Sequence, residues 1–239
     1  NNDSAYETAI EFKKNNINPI VLDSRQDSNS EIIKEAKSLG IDIKFSHVVV
    51  AAKGYKKVKS CDIAEISEDK QNLNQIKNIE CDCICVSGFW TPTVHLASQS
   101  GGKTKFKEEI DAFVPAKSKQ KEVTLASANG VFTLEETLKT SFDKGFELSK
   151  EITNNNNSQQ IPKVSEKKHS KHDKFWCVPL PKGKKYKRFL DFQNDVAVSD
   201  IELAIREGYR SIEHVKRYTT LGMATDQGKT SNLNGLQLV

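Results

Sequence analysis

Several short stretches of this 239-residue sequence place residue types that could do chemistry at close spacing. In CDCIC, cysteines occupy the alternate positions Cys81, Cys83 and Cys85. On a β-strand they would share one face, with successive Cα atoms about 7 Å apart, whereas tetrahedral zinc takes cysteine pairs a few residues apart on turns. Free cysteine is among the most often buried residue types, so we expect these three to pack in the interior.

The stretch GMATDQGKTSN, residues 222–232, is close to a phosphate-binding P-loop. A P-loop has the pattern G-x-x-x-x-G-K-[ST], with a strand before it and a helix after it. Here Gly222 and Gly228 are one residue further apart, and the preceding SIEHVKRYTTL has a helical pattern. The extra residue would displace the backbone N–H groups relative to Lys229. We therefore do not predict a nucleotide-phosphate site in this stretch.

The remaining reactive residue types form no catalytic pattern. The five histidines have no acidic or nucleophilic partner at a diagnostic spacing; they are His47, His95, His169, His172 and His214. The sequence contains no HExxH, no Ser-His-Asp elbow and no G-x-G-x-x-G. We predict neither a catalytic residue nor a metal ligand.

Two segments, CICVSGFWTPTVHL and VTLASANGVFTLEETL, combine a predicted strand, a tight turn and a helix. At such a junction the backbone N–H groups and the helix dipole face a polar or anionic ligand. In doubly wound sheets, ligands lie at the carboxyl ends of the strands. Because every α/β protein contains such turns, the pattern alone leaves a ligand site and an ordinary turn equally open.

The elements that would position these residues alternate between helix and strand. Helices are predicted in SAYETAIEFKKNN, SEIIKEAKSLG, TPTVHLASQSGG and TLEETLKTSFDKGFELSKEI, and strands in INPIVLDS, IDIKFSHVVVAAKG, YKKVKSCDIAEI, CDCICVSGF and EVTLASANG. Gly40 closes the second helix, and Thr133 with Glu136 forms a capping box at the start of the last one. The alternation predicts an α/β domain with a largely parallel sheet.

The composition changes near residue 152. Residues 153–173 are polar and basic, which predicts a linker. Residues 174–239 form a small, mainly helical module, with a strand in FWCVPL, then KRFLDFQNDV, then helices in SDIELAIREG and SIEHVKRYT. The predicted domains are therefore 1–152, 153–173 and 174–239.

Composition also limits the class of protein. With 36% hydrophobic and 28% charged residues, no apolar run approaches the roughly 20 residues of a membrane span. Five cysteines, an odd number, favour reduced thiols in a cytoplasm over a disulfide framework. The basic run Lys163–Arg188 lacks the regular aromatic interleaving or helical register of a specific nucleic-acid surface, which favours a solvated linker. Since the chain begins with Asn1 and not Met, we expect a piece of a longer polypeptide.

Several phrases of the sequence resemble the alpha-subunit family of heterotetrameric sarcosine oxidases. They are NNDSAY, SGFWTPTVHLASQSGGK, LASANGVFTLEETL and FLDFQNDVAVSDIELAIREGYRSIEHVKRYTTLGMATDQGKTSN. The resemblance covers nearly the whole chain and is weakest in the linker. It implies part of a Rossmann-type dinucleotide-binding domain related to flavoprotein disulfide reductases, followed by a small helical module. It also implies that the first glycine-rich βαβ unit lies upstream and a folate-binding domain downstream.

The same resemblance suggests an origin for GMATDQGKTSN. Related amine and opine oxidoreductases carry a [2Fe–2S] cluster in the small helical module, held by four cysteines. In this sequence Asp191, Gln193, Asp226 and Ser231 stand at the corresponding positions. The resemblance therefore implies a ligand loop that has kept its scaffold and lost its metal, and we expect the four positions to lie close together.

The family's alpha subunit binds NAD, and the part of that site expected here is ASANGVFT. The resemblance places NAD contacts at Ala126, Val131 and Thr133, with Asn129 and Gly130 forming the turn. It also implies FAD and FMN in or against the beta subunit, with tetrahydrofolate as co-substrate and gamma and delta subunits as further partners. Lys216 and Arg217 are candidates for a flavin phosphate or subunit contact, or for ordinary surface salt bridges.

Three functional hypotheses follow. In the first, the parent complex demethylates sarcosine oxidatively to glycine, with hydrogen peroxide as a product and transfer of the one-carbon unit to tetrahydrofolate, and the isolated chain is inactive. In the second, an amine or opine dehydrogenase subunit passes electrons to another acceptor, although the missing cluster cysteines argue against it. In the third, the basic run forms a non-enzymatic nucleic-acid-binding module. We favour the first, without nucleic-acid or membrane binding.

Overall fold

The computed structural model describes residues 1–88, 90–153, 160–161, 163–164 and 171–239. The chain divides into two compact units, one of residues 1–88 with 169–239 and the other of residues 89–168. Much of the predicted linker 153–173 lies outside the described residues. The predicted ranges 1–152, 153–173 and 174–239 stay a prediction.

The first unit begins with a helix–strand–helix–strand segment: α1 (Ser4–Lys14), β1 (Ile20–Asp23), α2 (Glu31–Ser38) and β2 (Asp42–Phe45). β1 and β2 pair in parallel, and α2 crosses between them, as a parallel pair requires. Apolar residues at helical spacing, including Tyr6 and Ile10 of α1 and Ile33 of α2, form the core of this segment. The two helices and the first strand are confirmed, and Gly40 ends the second helix with a φ of 69°. The single strand predicted in IDIKFSHVVVAAKG is instead broken at Ser46 into β2 and a strand of a second sheet.

Three antiparallel strands follow in a single sheet: β3 (His47–Gly54), β4 (Val58–Ile66) and β5 (Leu73–Glu80). The expectation of a largely parallel sheet is wrong for the described residues, since β1 with β2 is the parallel pair and the other strand pairs are antiparallel. The cause is connection length. Strands joined by a few residues form hairpins, whereas parallel pairing needs a crossover of a dozen or more residues.

The cysteine-rich segment is not a strand. β5 ends at Glu80, and residues 81–88 form no helix or strand. A hydrogen bond from the Cys81 amide to the Lys59 carbonyl (3.2 Å) continues the edge of the sheet, and regular strand structure stops there. Cys81 is half-buried, whereas Cys83 and Cys85 are exposed, so the expected packing of all three in the interior is wrong. Alternating side chains favour a strand but do not provide a neighbouring strand to pair with.

The second unit contains α3 (His95–Gln99), the antiparallel pair β6 (Thr104–Lys107) and β7 (Ala112–Pro115), a 3₁₀ turn (Ala126–Asn129) and α4 (Leu134–Thr153). The β6–β7 hairpin was not predicted. The strand expected in EVTLASANG is wrong, because residues 122–125 have no strand structure and the 3₁₀ turn follows. The N-cap of α4 is confirmed, because the Glu136 amide donates to Thr133 Oγ1 (3.4 Å). The Thr133 hydroxyl donates to Glu136 Oε2 (3.1 Å), and the return bond of a full capping box stays a prediction.

The C-terminal part of the first unit has the short strands β8 (Phe189–Asp191) and β9 (Val196–Ala197), then α5 (Val198–Arg206), α6 (Ile212–Thr219) and α7 (Asn232–Leu238). The strand predicted in FWCVPL is absent, because residues 175–180 have no regular structure. α5 and α6 are confirmed, and α7 was not predicted. Asp200 caps α5 by accepting a hydrogen bond from the Ala197 amide (2.8 Å). Within the described parts of the chain, no helix is long and apolar enough to span a membrane.

Candidate functional site

The loop that follows α6 is folded around the carboxylate of Asp191. Asp191 is 3% exposed, and its Oδ2 accepts a hydrogen bond from the Gly222 amide (2.8 Å) while its Oδ1 accepts one from the Gln193 amide (2.9 Å). Further along the loop, Asp226 Oδ1 accepts a hydrogen bond from the Gly228 amide (3.1 Å). The loop is therefore held by hydrogen bonds from the Gly222 and Gly228 amides to the carboxylates of Asp191 and Asp226.

Two glycines let this loop turn back on itself. Gly222 and Gly228 have φ values of 66° and 75°, in the left-handed region that favours glycine. A β-carbon at either position would overlap the side chain of Asn232, and one at Gly222 would also lie 2.9 Å from Gly228 Cα. The two glycines and Asn232 therefore form one close-packed contact.

Of the four positions that the resemblance assigns to a lost cluster, Asp226 and the buried Ser231 lie in this loop, and Asp191 contacts it through the Gly222 amide. Gln193 contacts Asp191 through its own amide, and the origin of the loop in a cluster site stays a prediction. The hydrogen bond from the Thr230 hydroxyl, with backbone N–H groups, holds the pKa of Asp226 below its ordinary value. Among the described residues, no group of three or more His, Cys, Asp and Glu side chains could hold a metal ion. The carboxylate oxygens of Asp191 and Asp226 accept backbone hydrogen bonds.

The predicted NAD contacts lie in and after the 3₁₀ turn of the second unit. Ala126 has a φ of 56° and Gly130 a φ of 75°, so both adopt the left-handed conformation. A β-carbon at Gly130 would lie 2.5 Å from Ile110 Cδ1 and 3.0 Å from Val114 Cγ1, which requires glycine there. Val131 donates its amide hydrogen to the Ala126 carbonyl (3.1 Å), and Thr133 caps α4. These contacts define a tight turn, and its binding role stays a prediction.

Asn129 also borders an open cleft of about 270 Å³ in the second unit. The other lining residues are Ala97, Gly102, Lys103, Pro115, Ala116, Lys117, Ser118, Glu122, Val123 and Thr124. The Ser100 hydroxyl donates to Glu122 Oε1 (2.6 Å), as does the Ser118 hydroxyl (3.0 Å), so this carboxylate already has partners. Of the five predicted contacts, the structure places Asn129 at the cleft.

A buried polar network, which the sequence did not reveal, joins the start of α1 to the end of β1. Arg25 donates from Nη2 to Asp23 Oδ2 (2.7 Å) and pairs with Asp3 Oδ1 (2.8 Å). The Tyr6 hydroxyl donates to Asp23 Oδ2 (2.7 Å). Asp3 is 1%, Asp23 2% and Arg25 6% exposed. Buried charges of this kind are costly unless they are paired, so the network fixes α1 against β1.

The network also determines how its groups titrate. Burial acts to raise the pKa of Asp23, but hydrogen bonds from Arg25 and Tyr6 outweigh it and leave that pKa below its usual value. Burial, followed by the hydrogen bond to Asp23, raises the pKa of the Tyr6 phenol. At neutral pH, Asp23 is therefore ionised and Tyr6 protonated.

Three buried donor groups beside this network have no hydrogen-bond partner among the described residues: Arg25 Nη1, Ser24 Oγ and Ser30 Oγ. They belong to the connection between β1 and α2, at the carboxyl end of β1. Buried donors without partners are rare in proteins, and a ligand oxygen is one way to satisfy them. The sequence contained one indication of a ligand site here: β1 ends in an acidic residue, Asp23. In dinucleotide-binding folds an acidic residue at the end of a strand contacts the ribose.

Comparison with known proteins identifies the family. Residues 185–239 match the sarcosine oxidase A3 domain. The whole chain is 32% identical over 241 residues to sarcosine oxidase subunit alpha of Rhizobium meliloti (strain 1021), covering 23% of that protein. It is 29% identical over 244 residues to sarcosine oxidase subunit alpha of Corynebacterium sp. (strain P-1), covering 25% of it. The chain belongs to the sarcosine oxidase alpha-subunit family. It spans about a quarter of the length of these relatives.

The fold agrees with this membership. The structure is similar to the crystal structure of L-proline dehydrogenase from P. horikoshii, with a TM-score of 0.53 and 18% sequence identity, over 87% of this chain and 41% of that one. At this identity the similarity concerns the fold alone. The predicted class, part of a Rossmann-type α/β domain with a small helical module, is confirmed, as is the family recognised from the sequence.

Two further predicted positions of this alpha-subunit chain lie on α6. Lys216 is half-buried and Arg217 is exposed, on a helix whose buried residue is Val215. Their side chains therefore reach the surface. A contact with a flavin phosphate or with another subunit stays a prediction.

Proposed function

We propose that the chain is part of the alpha subunit of a sarcosine oxidase complex. The complex oxidises sarcosine to glycine, reduces oxygen to hydrogen peroxide and transfers the one-carbon unit to tetrahydrofolate. The observation that carries this proposal is the 32% identity to a subunit of that name over 100% of the chain. The fold similarity to a dehydrogenase is consistent with an oxidoreductase.

Within the complex, this chain supports binding and assembly. It contributes to an NAD site and to the surfaces that meet beta, gamma and delta subunits, and it operates in the cytoplasm. The amine is oxidised at FAD and FMN, which lie mainly in or against the beta subunit. We expect that the chain alone does not oxidise sarcosine.

The buried network in the first unit offers donors that fit a dinucleotide. Ligands of parallel α/β sheets lie at the carboxyl ends of the strands, near the start of a helix. Ser24, Arg25 and Ser30 are at that end of β1 and carry buried N–H or O–H groups without partners among the described residues. Such groups suit the phosphate and hydroxyl oxygens of NAD. The residues predicted from the family, Asn129 and its neighbours, form the alternative site.

Single substitutions distinguish the two sites. Ser24→Ala and Ser30→Ala remove hydroxyls that make no hydrogen bond in the described structure, so folding should be little affected. If these hydroxyls bind NAD phosphate or hydroxyl groups, each loss should weaken NAD binding to the complex roughly 5- to 100-fold. Asn129→Ala is the matched substitution at the alternative site. Equilibrium dialysis with NAD is the measurement.

The pattern of losses decides the assignment. Weaker binding in the two serine variants alone supports the site at β1, and weaker binding in the asparagine variant alone supports the turn before α4. Unchanged NAD binding in all three variants would contradict both assignments. Circular dichroism confirms that each variant is folded.

The overall function is tested on the complex purified through a tag on the polypeptide that contains this chain. With sarcosine, we expect oxygen consumption and equal amounts of glycine and hydrogen peroxide, with less free formaldehyde when tetrahydrofolate is present. An amine or opine dehydrogenase would instead reduce a dye without consuming oxygen. Iron analysis and a visible spectrum complete the distinction, because the positions at 191, 193, 226 and 231 carry no sulfur.

A further inference from the structure

Two exposed cysteine sulfurs lie side by side after β5. Cys83 and Cys85 are both exposed, and their Sγ atoms are 3.9 Å apart. The separation is longer than a disulfide bond and short enough for one thiol to donate a weak hydrogen bond to the other. The proposed function uses neither residue. A pair of accessible thiols at this distance is chemically distinct from a lone surface cysteine.

The backbone around the pair allows the two sulfurs to bond. Residues two apart along a fully extended chain have Cα atoms about 7 Å apart, and disulfides span up to about 6.8 Å, so a small departure from full extension is enough for the bond. Residues 81–88 form no helix or strand, so closure breaks no ladder hydrogen bonds there. Side-chain rotation can cover much of the remaining gap between the sulfurs.

The other nearby cysteines differ from this pair. Cys61, on β4, is 3% exposed, and burial, with the neighbouring Cys81 thiol next in size, raises its pKa to about 11. It is therefore protonated and inaccessible at neutral pH. Cys81 is half-buried and follows the edge of the sheet. Both provide internal controls for the exposed pair.

We propose that Cys83 and Cys85 form a redox-active dithiol that is converted to an intrachain disulfide by low-molecular-weight disulfides such as oxidised glutathione. The Cys83 thiolate attacks the external disulfide, forms a mixed disulfide and releases one thiolate. The Cys85 thiol then loses its proton and attacks the Cys83 sulfur, which releases the second thiolate. The two cysteines lose two electrons and two protons, and one external disulfide becomes two thiols.

The order of attack follows from the contact between the two sulfurs. Partial desolvation, and then the hydrogen bond and charge of Cys83, raise the pKa of Cys85. The contact therefore disfavours a thiolate on Cys85 while Cys83 carries the charge. We assign the first attack to Cys83 and the resolving step to Cys85.

The experiment equilibrates the reduced complex, purified through a tag on the polypeptide that contains this chain, with defined ratios of reduced to oxidised glutathione. Remaining thiols are then trapped with N-ethylmaleimide, and the protein is digested with trypsin. The peptide 78–103 contains Cys81, Cys83 and Cys85 without an internal cleavage site. Mass spectrometry should show loss of two hydrogen atoms with a single maleimide on Cys81. The closed fraction should rise with the proportion of oxidised glutathione.

Serine variants test which sulfurs are involved. Cys81→Ser should close at the same glutathione ratio as the wild type. Cys83→Ser and Cys85→Ser should lose closure and instead carry glutathione on the remaining exposed cysteine. Cys83 and Cys85 are exposed and Cys81 is half-buried, and all three lie outside strands and helices, so circular dichroism should match the wild type.

The unfolded chain provides the second comparison. In guanidinium chloride the three cysteines are equally accessible, and pairing of Cys81 with Cys83 should appear beside pairing of Cys83 with Cys85. In the native protein, selective pairing of Cys83 with Cys85 supports the proposal. Two glutathione adducts on this pair without an internal bond, or pairing that requires Cys81, would overturn it.

Discussion

Replacing Arg25 by glutamine should destabilise the first unit more than a surface substitution does. Arg25 is 6% exposed and is the cation that pairs with both Asp3 (2.8 Å) and Asp23 (2.7 Å), which are themselves almost fully buried. Removing one partner of a buried ion pair leaves an uncompensated charge and costs about 3–5 kcal/mol. Because two carboxylates lose their cation here, we expect the upper part of that range.

The pH dependence provides a more specific test of the same reasoning. In the wild type, hydrogen bonds from Arg25 and Tyr6 outweigh burial and lower the pKa of Asp23. The ionised carboxylate of Asp23 therefore adds to the free energy of unfolding above about pH 4, near the pKa of the unfolded chain. This contribution is lost as the pH falls through the pKa of the folded state, which is lower. In Arg25→Gln, burial dominates and the carboxyl pKa should rise. The variant should then lose most free energy of unfolding, relative to the wild type, at neutral pH, where Asp23 is ionised. The loss should become smaller as the pH falls towards about 5 and the carboxyl is protonated.

The measurement is hydrogen exchange by mass spectrometry on peptides from residues 1–45 during urea titrations at neutral and mildly acidic pH. Lys14→Gln is the matched control, because Lys14 is 50% exposed and its partner Glu11 is 65% exposed, and exposed pairs contribute little. A stability deficit for Arg25→Gln that is no larger than the control's and does not vary with pH would refute the role assigned to the buried network.

Three further outcomes are expected. Gly130→Ala should lower the free energy of unfolding by about 2–4 kcal/mol, because it adds a clash to an unfavourable φ. Gly40→Ala, which has a similar φ but open space around it, should lower it by about 1 kcal/mol. Thermal unfolding compares the two variants, and equal losses of stability would argue against the contact between residue 130 and Ile110. Asp191→Ala should leave the Gly222 amide without its buried acceptor and lower the free energy of unfolding by about 1–3 kcal/mol. Hydrogen exchange in residues 220–231 should become faster, and unchanged exchange there would show that the carboxylate does not hold the loop. Cys61 should resist iodoacetamide in the native protein at pH 8, since burial keeps its pKa near 11, and should react once urea unfolds it; labelling in the folded state would contradict its burial.

Local pattern predicted the elements whose stability depends on nearby residues. Helix α4 begins where its N-cap residue Thr133 places it, and β1 ends at the acidic residue that follows its apolar run. α5 and α6 follow the apolar spacing that buries Ile201 and Val215. In each case the determining contacts lie within a few residues in the sequence, so a short segment contains the necessary information.

Features that depend on distant partners were not predicted. Alternation in CDCIC indicated a strand but carried no information about which strand would pair with it. The network around Arg25 joins residues from the start of α1 and the end of β1, and only the folded chain brings Asp3 to that guanidinium. The family resemblance correctly indicated the chain's membership, and the placement of the NAD contacts stays a prediction.

The packing of Asn232 against Gly222 and Gly228 should leave a trace in molecular evolution. A methyl group at either glycine overlaps the side-chain amide of Asn232. Homologues in which one of these glycines is replaced should therefore have a smaller side chain at position 232. These three sites should covary among homologues. A double-mutant cycle of Gly228→Ala with Asn232→Ala should accordingly show that the second change compensates part of the damage done by the first.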